Sequence, residues 1–338
     1  MKIDIHKVAS KAGVSIATVS RALNGSTLVK PNTKEKILKI VEELNYIPNP
    51  IARSLSKQST ETIGVVLPDL LGEFFMDFIH SVDEEAYKQN WHVLISSSHS
   101  QRNIIETLIE LMGSGRVDGV ILMAPQIQNE VSEIIQKSKT PVILINTCGD
   151  FKKIDQIKIN NFQGSYNIVE HLIKVHKYKK IGIINGPKGN CDAEERLSGF
   201  LSALKKYKVP KDTSLIINGN FDVESGVLGF STLMNQPIKP DAIFATNDMM
   251  AVGAYEAAKE LGYKIPNDIA IAGFDDIYLS QFLIPRLTTI HVPITELGSK
   301  AVKYLLDKIN KKERNGKVHF EVLPTELVIG GSCGCRYS

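Results

Sequence analysis

Two groups of side chains in this sequence have the types and spacing to recognise something. The first lies in AGVSIATVSRALNG, residues 12–25. If Ser15 opens a short helix, Ile16, Ala17, Ser20 and Arg21 share one face, while Val14, Val19 and Leu23 share the other. The first face has no evident core to join and is free to enter the major groove of DNA. The second group is polar and lies at the carboxyl ends of short apolar runs: Asp69, Ser96 to Ser98, Asn146, Asn185, Asn247, Asp248, Asp275 and Asp276. Acceptors and amides gathered at such ends suit a small polar ligand, because open parallel sheets bind ligands beyond the carboxyl ends of their strands. Each of them could also simply cap the following helix.

The elements needed to position both groups are legible. Residues 5–11 and 15–23 can form two helices joined by a tight turn at Gly13. Ala9 lets them approach and Val19 packs between them, as a helix-turn-helix requires. A third helix follows Pro31, with Thr33 as its expected cap and Ile37, Ile40, Val41 and Leu44 at i, i+3, i+4, i+7. Downstream, near-continuous apolar runs alternate with amphipathic helices: 62–69, 91–98, 117–125, 140–146, 180–187, 241–248 and 268–276. Strands of this kind are buried on both faces, and strand alternating with helix implies parallel sheets. The stretch IDQIKINNFQG (154–164) reads as a break between two such series, so two α/β lobes are expected, with chain near 288–294 and 320–326 crossing back between them.

Composition limits the function classes. The chain has 338 residues and a net charge of +3, unevenly placed. Residues 1–60 hold ten Lys/Arg against four Asp/Glu, a balance of +6, whereas the other 278 hold thirty against thirty-three, or −3. A basic head on a mildly acidic body suggests that the head meets a polyanion; a solvated basic face would look the same. MKIDIHKVASKAG does not read as a signal peptide, and no apolar run approaches a membrane span, so a soluble, cytoplasmic protein with no membrane partner is expected. In that setting Cys148, Cys191, Cys333 and Cys335 read as reduced thiols, and no metal or cofactor is expected, since no ligand set stands at a recognisable zinc spacing. GSGRVDG (113–119) has the wrong spacing for a dinucleotide loop, there is no P-loop, and no nucleophile–base pair stands out, so an enzyme is not expected. A transporter's solute-binding protein would share the body but not the head.

VASKAGVSIATVSRALNG, LNYIPNPIARSL, IGVVLPD, VDGVILM, INGP followed by ERLSGF, FATNDMMAVGA, IAGFDD and PRLTTIHVP occur in this order. With them the chain resembles the lactose/galactose-repressor (LacI/GalR) family of bacterial transcription factors from end to end. The resemblance implies a helix-turn-helix headpiece over 1–47, a hinge helix and linker over 48–60, and a two-lobe, type I periplasmic-binding-protein-like core with parallel sheets over 61–338. Its N-lobe would take about 61–160 plus 292–322 and its C-lobe about 161–291 plus 323–338. It also implies a homodimer on a near-palindromic operator with a central CpG step. Ile16, Ala17 and Arg21 match base-reading positions; Ser15, Thr18, Ser20, Asn24, Thr33, Tyr46 and Asn49 match positions that hold backbone and register. The hinge, with Asn49, Ala52 and Leu55, would order on DNA and drive Leu55 into the minor groove as a wedge.

In the core, the resemblance places Asp69, Phe74, Phe75, Asn146, Arg196, Phe221, Asn247 and Asp275 around a small-molecule effector, in the first instance a sugar or sugar derivative. Arginine offers a planar fork of donors there and aspartate accepts from hydroxyls. Asn146 stands where some sugar-binding members carry Asp and Asn160 replaces a frequent Asp, which leaves the effector's identity open, as are the operator sequence and whether the effector induces or corepresses. The alternative signal within the family is a phosphorylated carrier protein bound to the core; Arg196 favours the small molecule. With no leucine-heptad tail, tetramers held by one are not expected.

Overall fold

The computed structural model describes residues 4–24, 26–47, 59–68, 72–97, 103–124, 129–149, 151, 153–310 and 318–336. The expected site residues Asn49, Ala52, Leu55 and Asp69 lie outside them. The chain divides into two compact units, Met1–Thr60 and Glu61–Ser338.

The described residues of the first unit form three helices, α1 (Ile5–Ala12), α2 (Ile16–Leu23) and α3 (Pro31–Glu43). Their buried faces supply Val8, Ala9, Ala12, Val19, Ala22, Ile37 and Ile40, which with Val29 of the loop before α3 form one small core. Gly13 ends α1 at φ 70°, a left-handed conformation that glycine adopts without strain. Thr33 is not the cap of α3: the helix begins two residues earlier, with Pro31 at its first position and Lys30 before it making no side-chain cap. Proline's fixed φ and missing N–H suit that first position, so the helix starts there.

The second unit begins with β1 (Thr62–Leu67), α4 (Glu73–Lys88), β2 (His92–Ser97), α5 (Ile104–Gly113), β3 (Gly119–Met123), α6 (Asn129–Lys137), β4 (Val142–Ile145) and β5 (Asp155–Ile159). It continues with α7 (Asn161–Lys174), β6 (Ile181–Asn185), α8 (Cys191–Lys206), β7 (Ile216–Asn218), α9 (Val223–Met234), β8 (Ala242–Ala245), α10 (Asp248–Glu260) and β9 (Ala270–Ala272). Then come β10 (Thr289–His291), α11 (Ile294–Ile309), β11 (Phe320–Leu323) and β12 (Glu326–Val328). The N-lobe sheet has the order β11-β5-β4-β3-β1-β2, with all pairings parallel. The C-lobe sheet, also parallel, runs β7-β6-β8-β9. The antiparallel pair β10-β12 carries the returning chain. One apolar cluster, including Ile121, Ile143 and Ile157 of the first sheet and Phe200, Phe244 and Phe274 of the second lobe, is continuous between the lobes.

Each of the seven apolar runs forms a strand. Among the described residues five further strands lie outside those runs: β5, β7 and, where the chain crosses back between the lobes, β10, β11 and β12. The stretch read as a break is β5 itself, which pairs with β4 and β11 before α7 begins. Its polar residues hid it, although Asp155 and Gln156 are buried: Asp155 accepts the His319 N–H at 2.8 Å and pairs with Lys308. Among the described residues no helix is long and apolar enough to cross a membrane.

Candidate functional site

The headpiece presents its second helix as the sequence requires. Ser15 caps α2 by accepting the Thr18 N–H at 3.2 Å, and its hydroxyl lies 2.9 Å from that of Thr18. Burial of Val19 and Ala22 fixes the rotation of α2, leaving Ile16, Ala17 and Arg21 exposed. Ser20, half-buried, accepts from the Asn24 amide at 3.4 Å. Thr33 is half-buried in the first turn of α3, and Tyr46 packs partly against the small core. The result is an exposed arginine with small and apolar neighbours on a rigidly seated helix, which can lie in a major groove and read base edges.

In the second unit a cavity of about 410 Å³ opens between the lobes. Of the expected effector residues, Phe74, Phe75, Arg196, Phe221, Asn247 and Asp275 line it. Asn146 is not among the lining residues: it is buried, accepts the Ile159 N–H at 2.8 Å, and serves to tie β4 to β5. Sequence reading missed Asn190, Asp192, Asn220 and Asp222. The signal that could have found them is positional. Asn190, Asp222 and Asn247 are the N-caps of α8, α9 and α10, accepting from Ala193, Ser225 and Met250. Three helix N-termini, each favourable to acceptor atoms, therefore face one cleft.

Arg196 organises the floor. It is buried on α8, donating through Nε to Asn161 Oδ1 at 2.8 Å and through Nη1 to the Thr246 carbonyl. Its guanidinium lies 3.8 Å from the centroid of Phe274 and 5.8 Å from that of Phe221. Nη2 stands 3.3 Å from Asp275 Oδ1, an ion pair, yet that oxygen is a buried acceptor without a hydrogen bond. The carboxylate thus keeps acceptor capacity that its protein partners do not fill. Burial raises the Asp275 carboxyl to about 7 against the opposing pull of Arg196, and burial likewise raises Asp192. Asp275 holds φ 116° and Phe221 φ 65°, unusual backbone of the kind concentrated at ligand sites. Asp248, although at a strand end, faces away from the cleft: it accepts from Thr289 at 2.6 Å and from the Ile277 N–H at 3.0 Å.

The cysteines depart from expectation. Cys148 and Cys191 are joined in a disulfide, not held as reduced thiols. Cys148 follows β4 of the N-lobe and Cys191 opens α8 of the C-lobe; the fold brings Cα atoms 43 residues apart in sequence to 5.6 Å, within bonding range. Nothing in the local sequence of either residue announces that approach. Maleimide labelling in denaturant without reductant is expected to modify Cys333 and Cys335 and to spare Cys148 and Cys191. Labelling of all four would contradict the bridge.

Comparison with known proteins agrees with this geometry. Residues 4–49 match the model described as bacterial regulatory proteins, lacI family, and residues 169–333 match the periplasmic binding protein-like domain. The HTH-type transcriptional repressor PurR of Pasteurella multocida (strain Pm70) is 34% identical over 333 residues, 98% of this chain and 99% of the relative. The lac repressor dimer bound to operator and the anti-inducer ONPF superposes with a TM-score of 0.89 at 27% identity, covering 98% of this chain and 99% of that one. A complex of the transcriptional regulator CelR with cellobiose gives a TM-score of 0.74 at 26% identity, covering 98% and 99%. These relatives are regulators and not enzymes. A helix-turn-helix head, a two-lobe core with a cleft, and likeness along nearly the whole chain lead to one conclusion: the protein belongs to the LacI family of bacterial regulatory proteins and is a DNA-binding transcriptional repressor.

Proposed function

We propose that this repressor binds a near-palindromic operator with a central CpG step as a homodimer. Ile16, Ala17 and Arg21 read bases, and a small polyhydroxylated effector, a sugar or sugar derivative, binds in the inter-lobe cleft and sets operator affinity. The observation that carries the effector reading is the buried Asp275 carboxylate beside Arg196, with aromatic rings at the rim of the same cavity. A sugar offers hydroxyls that donate to the Asp275 carboxylate and accept from Arg196, while its C–H faces pack on Phe74, Phe75 or Phe221. The cavity volume suits a small ligand. The cellobiose complex of CelR shows that a regulator of similar structure holds a sugar. The homodimer reading is supported by the dimeric lac repressor and by exposed apolar side chains in the core, Leu94 and Ile95 on edge strand β2 and Tyr278, Phe282 and Ile284.

Thermal-shift screening against sugars, sugar phosphates and nucleobases tests this reading. A ligand at 100 times its Kd stabilises by about 2.7 kcal/mol, so the true effector should raise Tm visibly in the wild type and not in Asp275→Asn. A shift confined to nucleobases would overturn the sugar assignment.

The same carboxyl sets a pH dependence. Hydroxyl donors favour the ionised form of Asp275, which when free is half-protonated near pH 7 because burial raises it to about 7. Effector affinity is therefore expected to be level above that pH and to fall below it by up to about tenfold per unit, with proton release on binding. Asp192, raised in the same direction and lining the same cavity, adds to this sign. Calorimetric titration in buffers of different ionisation enthalpy measures it, and affinity independent of pH between 5.5 and 8 (roughly the span that linkage requires) would contradict it.

A further inference from the structure

Away from the effector cleft, the end of α7 and the C-terminal segment bring together two histidines and two cysteines. His171 sits in the last turn of α7, His176 lies just beyond that helix, and Cys333 and Cys335 flank Gly334 after β12. Their ligand atoms, one per residue, all lie within 4.8 Å of one another. Cys335 Sγ is 3.4 Å from His176 Nε2 and 3.7 Å from His171 Nε2, and Cys333 Sγ is 3.5 Å from His171 Nε2. With Zn–S about 2.3 Å and Zn–N about 2.0–2.1 Å, a tetrahedral ion sets sulfur–nitrogen edges of about 3.6 Å. The three distances fall on that value.

Thiol–imidazole hydrogen bonds explain the arrangement less well. His171 Nε2 faces both sulfurs, and one imidazole lone pair cannot accept from both. A central cation engages all four groups. The surroundings match those of a metal site. The Thr288 hydroxyl lies 3.1 Å from Cys333 Sγ, able to donate to a thiolate. Tyr178 stacks on His176 with ring centroids 5.5 Å apart and donates to the Cys333 carbonyl at 3.1 Å. Gly334 turns the chain at φ 101°, and a Cβ there would stand 3.2 Å from His176 Nδ1, so the C-x-C turn closes against the ring only with glycine. Cys333 is fully buried and the other three ligands are half-buried.

We propose that His171, His176, Cys333 and Cys335 form a Cys2His2 site for a thiophilic divalent ion, zinc in the first instance, that fastens the C-terminal segment to α7. Four protein ligands leave no open position, which makes the site structural, and mixed sulfur and imidazole ligation at tetrahedral spacing selects zinc over oxygen-loving cations. The ligands escape sequence reading because the H-x4-H and C-x-C pairs stand 157 residues apart and neither spacing is a familiar finger.

The test uses the untagged full-length chain, purified with zinc present, held under a non-chelating reductant and dialysed. Elemental analysis is expected to give one zinc per chain, and replacement by Co2+ to give tetrahedral d–d absorption with a sulfur-to-cobalt charge-transfer band. Cys335→Ser and His176→Gln should each lose the ion. The double variant Cys148→Ser/Cys191→Ser should keep it, which separates this site from the Cys148–Cys191–Glu195 group. Thr288→Val should weaken binding about 10- to 100-fold. A strong chelator should lower Tm of the wild type and leave Tm of Cys335→Ser unchanged. Substoichiometric zinc together with no tetrahedral cobalt spectrum in the wild type would overturn the proposal, as would full retention of metal by Cys335→Ser and His176→Gln. The cobalt spectrum of the wild type decides the matter even if a variant fails to fold.

Discussion

Asp275→Asn and Arg196→Ala are each expected to leave a repressor that still binds its operator but no longer answers its effector. The two buried side chains face each other at 3.3 Å on the cleft floor. Removing a charged group that hydrogen-bonds a ligand hydroxyl costs about 1.5–3 kcal/mol in ligand affinity, or roughly 10- to 150-fold. The variants differ in what else they disturb. Arg196→Ala also deprives the Asn161 amide and the Thr246 carbonyl of their donor and uncovers the face of Phe274, so a lower Tm is expected alongside the lost response. Asp275→Asn keeps the shape and removes only the charge. It is the cleaner probe, and it should abolish the pH dependence that Asp275 contributes. Calorimetric titration with the compound that gives the largest thermal shift measures both.

The second large effect is expected in the head. Arg21→Ala should weaken operator binding and relax base preference at one position of each half-site. A bidentate arginine–base contact contributes about 1–3 kcal/mol of discrimination, roughly 5- to 150-fold. The substitution should leave the helix intact, because Arg21 is exposed and the seating of α2 comes from Val19 and Ala22. Binding-site selection at fixed salt reads the outcome. An unchanged sequence logo would remove Arg21 from the base-reading set. A uniform loss across all sequences would make it a phosphate contact.

The seven apolar runs were visible because burial on both faces of a parallel strand leaves few polar interruptions. β5 was not visible for the same reason in reverse: its buried Asp155 and Gln156 find partners only in the folded chain, at His319, Lys308 and the Thr147 carbonyl. In the head, helix faces and the Ser15 cap are legible from spacing alone, whereas a cap at Thr33 sets the start of α3 three residues late, because proline at the first helical position is the stronger signal there. Around the cleft, resemblance to a family led to Arg196, Phe221, Asn247 and Asp275, each of which lines the cavity. Asn146 failed to line it because a strand-end amide can equally satisfy a neighbouring backbone N–H. Contacts between residues far apart in sequence were beyond reach: the Cys148–Cys191 bridge across the lobes and the His171, His176, Cys333, Cys335 cluster exist only once the chain has folded.

Effector binding in the cleft is expected to be coupled to operator binding by the head. Coupling is reciprocal and commonly amounts to about 1–3 kcal/mol, or roughly 5- to 150-fold. Fluorescence anisotropy of a selected operator, titrated with full-length repressor with and without saturating effector, measures it directly in the wild type and in Asp275→Asn. Effector is expected to shift operator affinity at least about fivefold in the wild type, in either direction, and to leave the variant's affinity where it was without effector. Equal shifts in both proteins would contradict it: the signal would then enter elsewhere on the core, and a phosphorylated carrier protein docked on its surface would become the better reading.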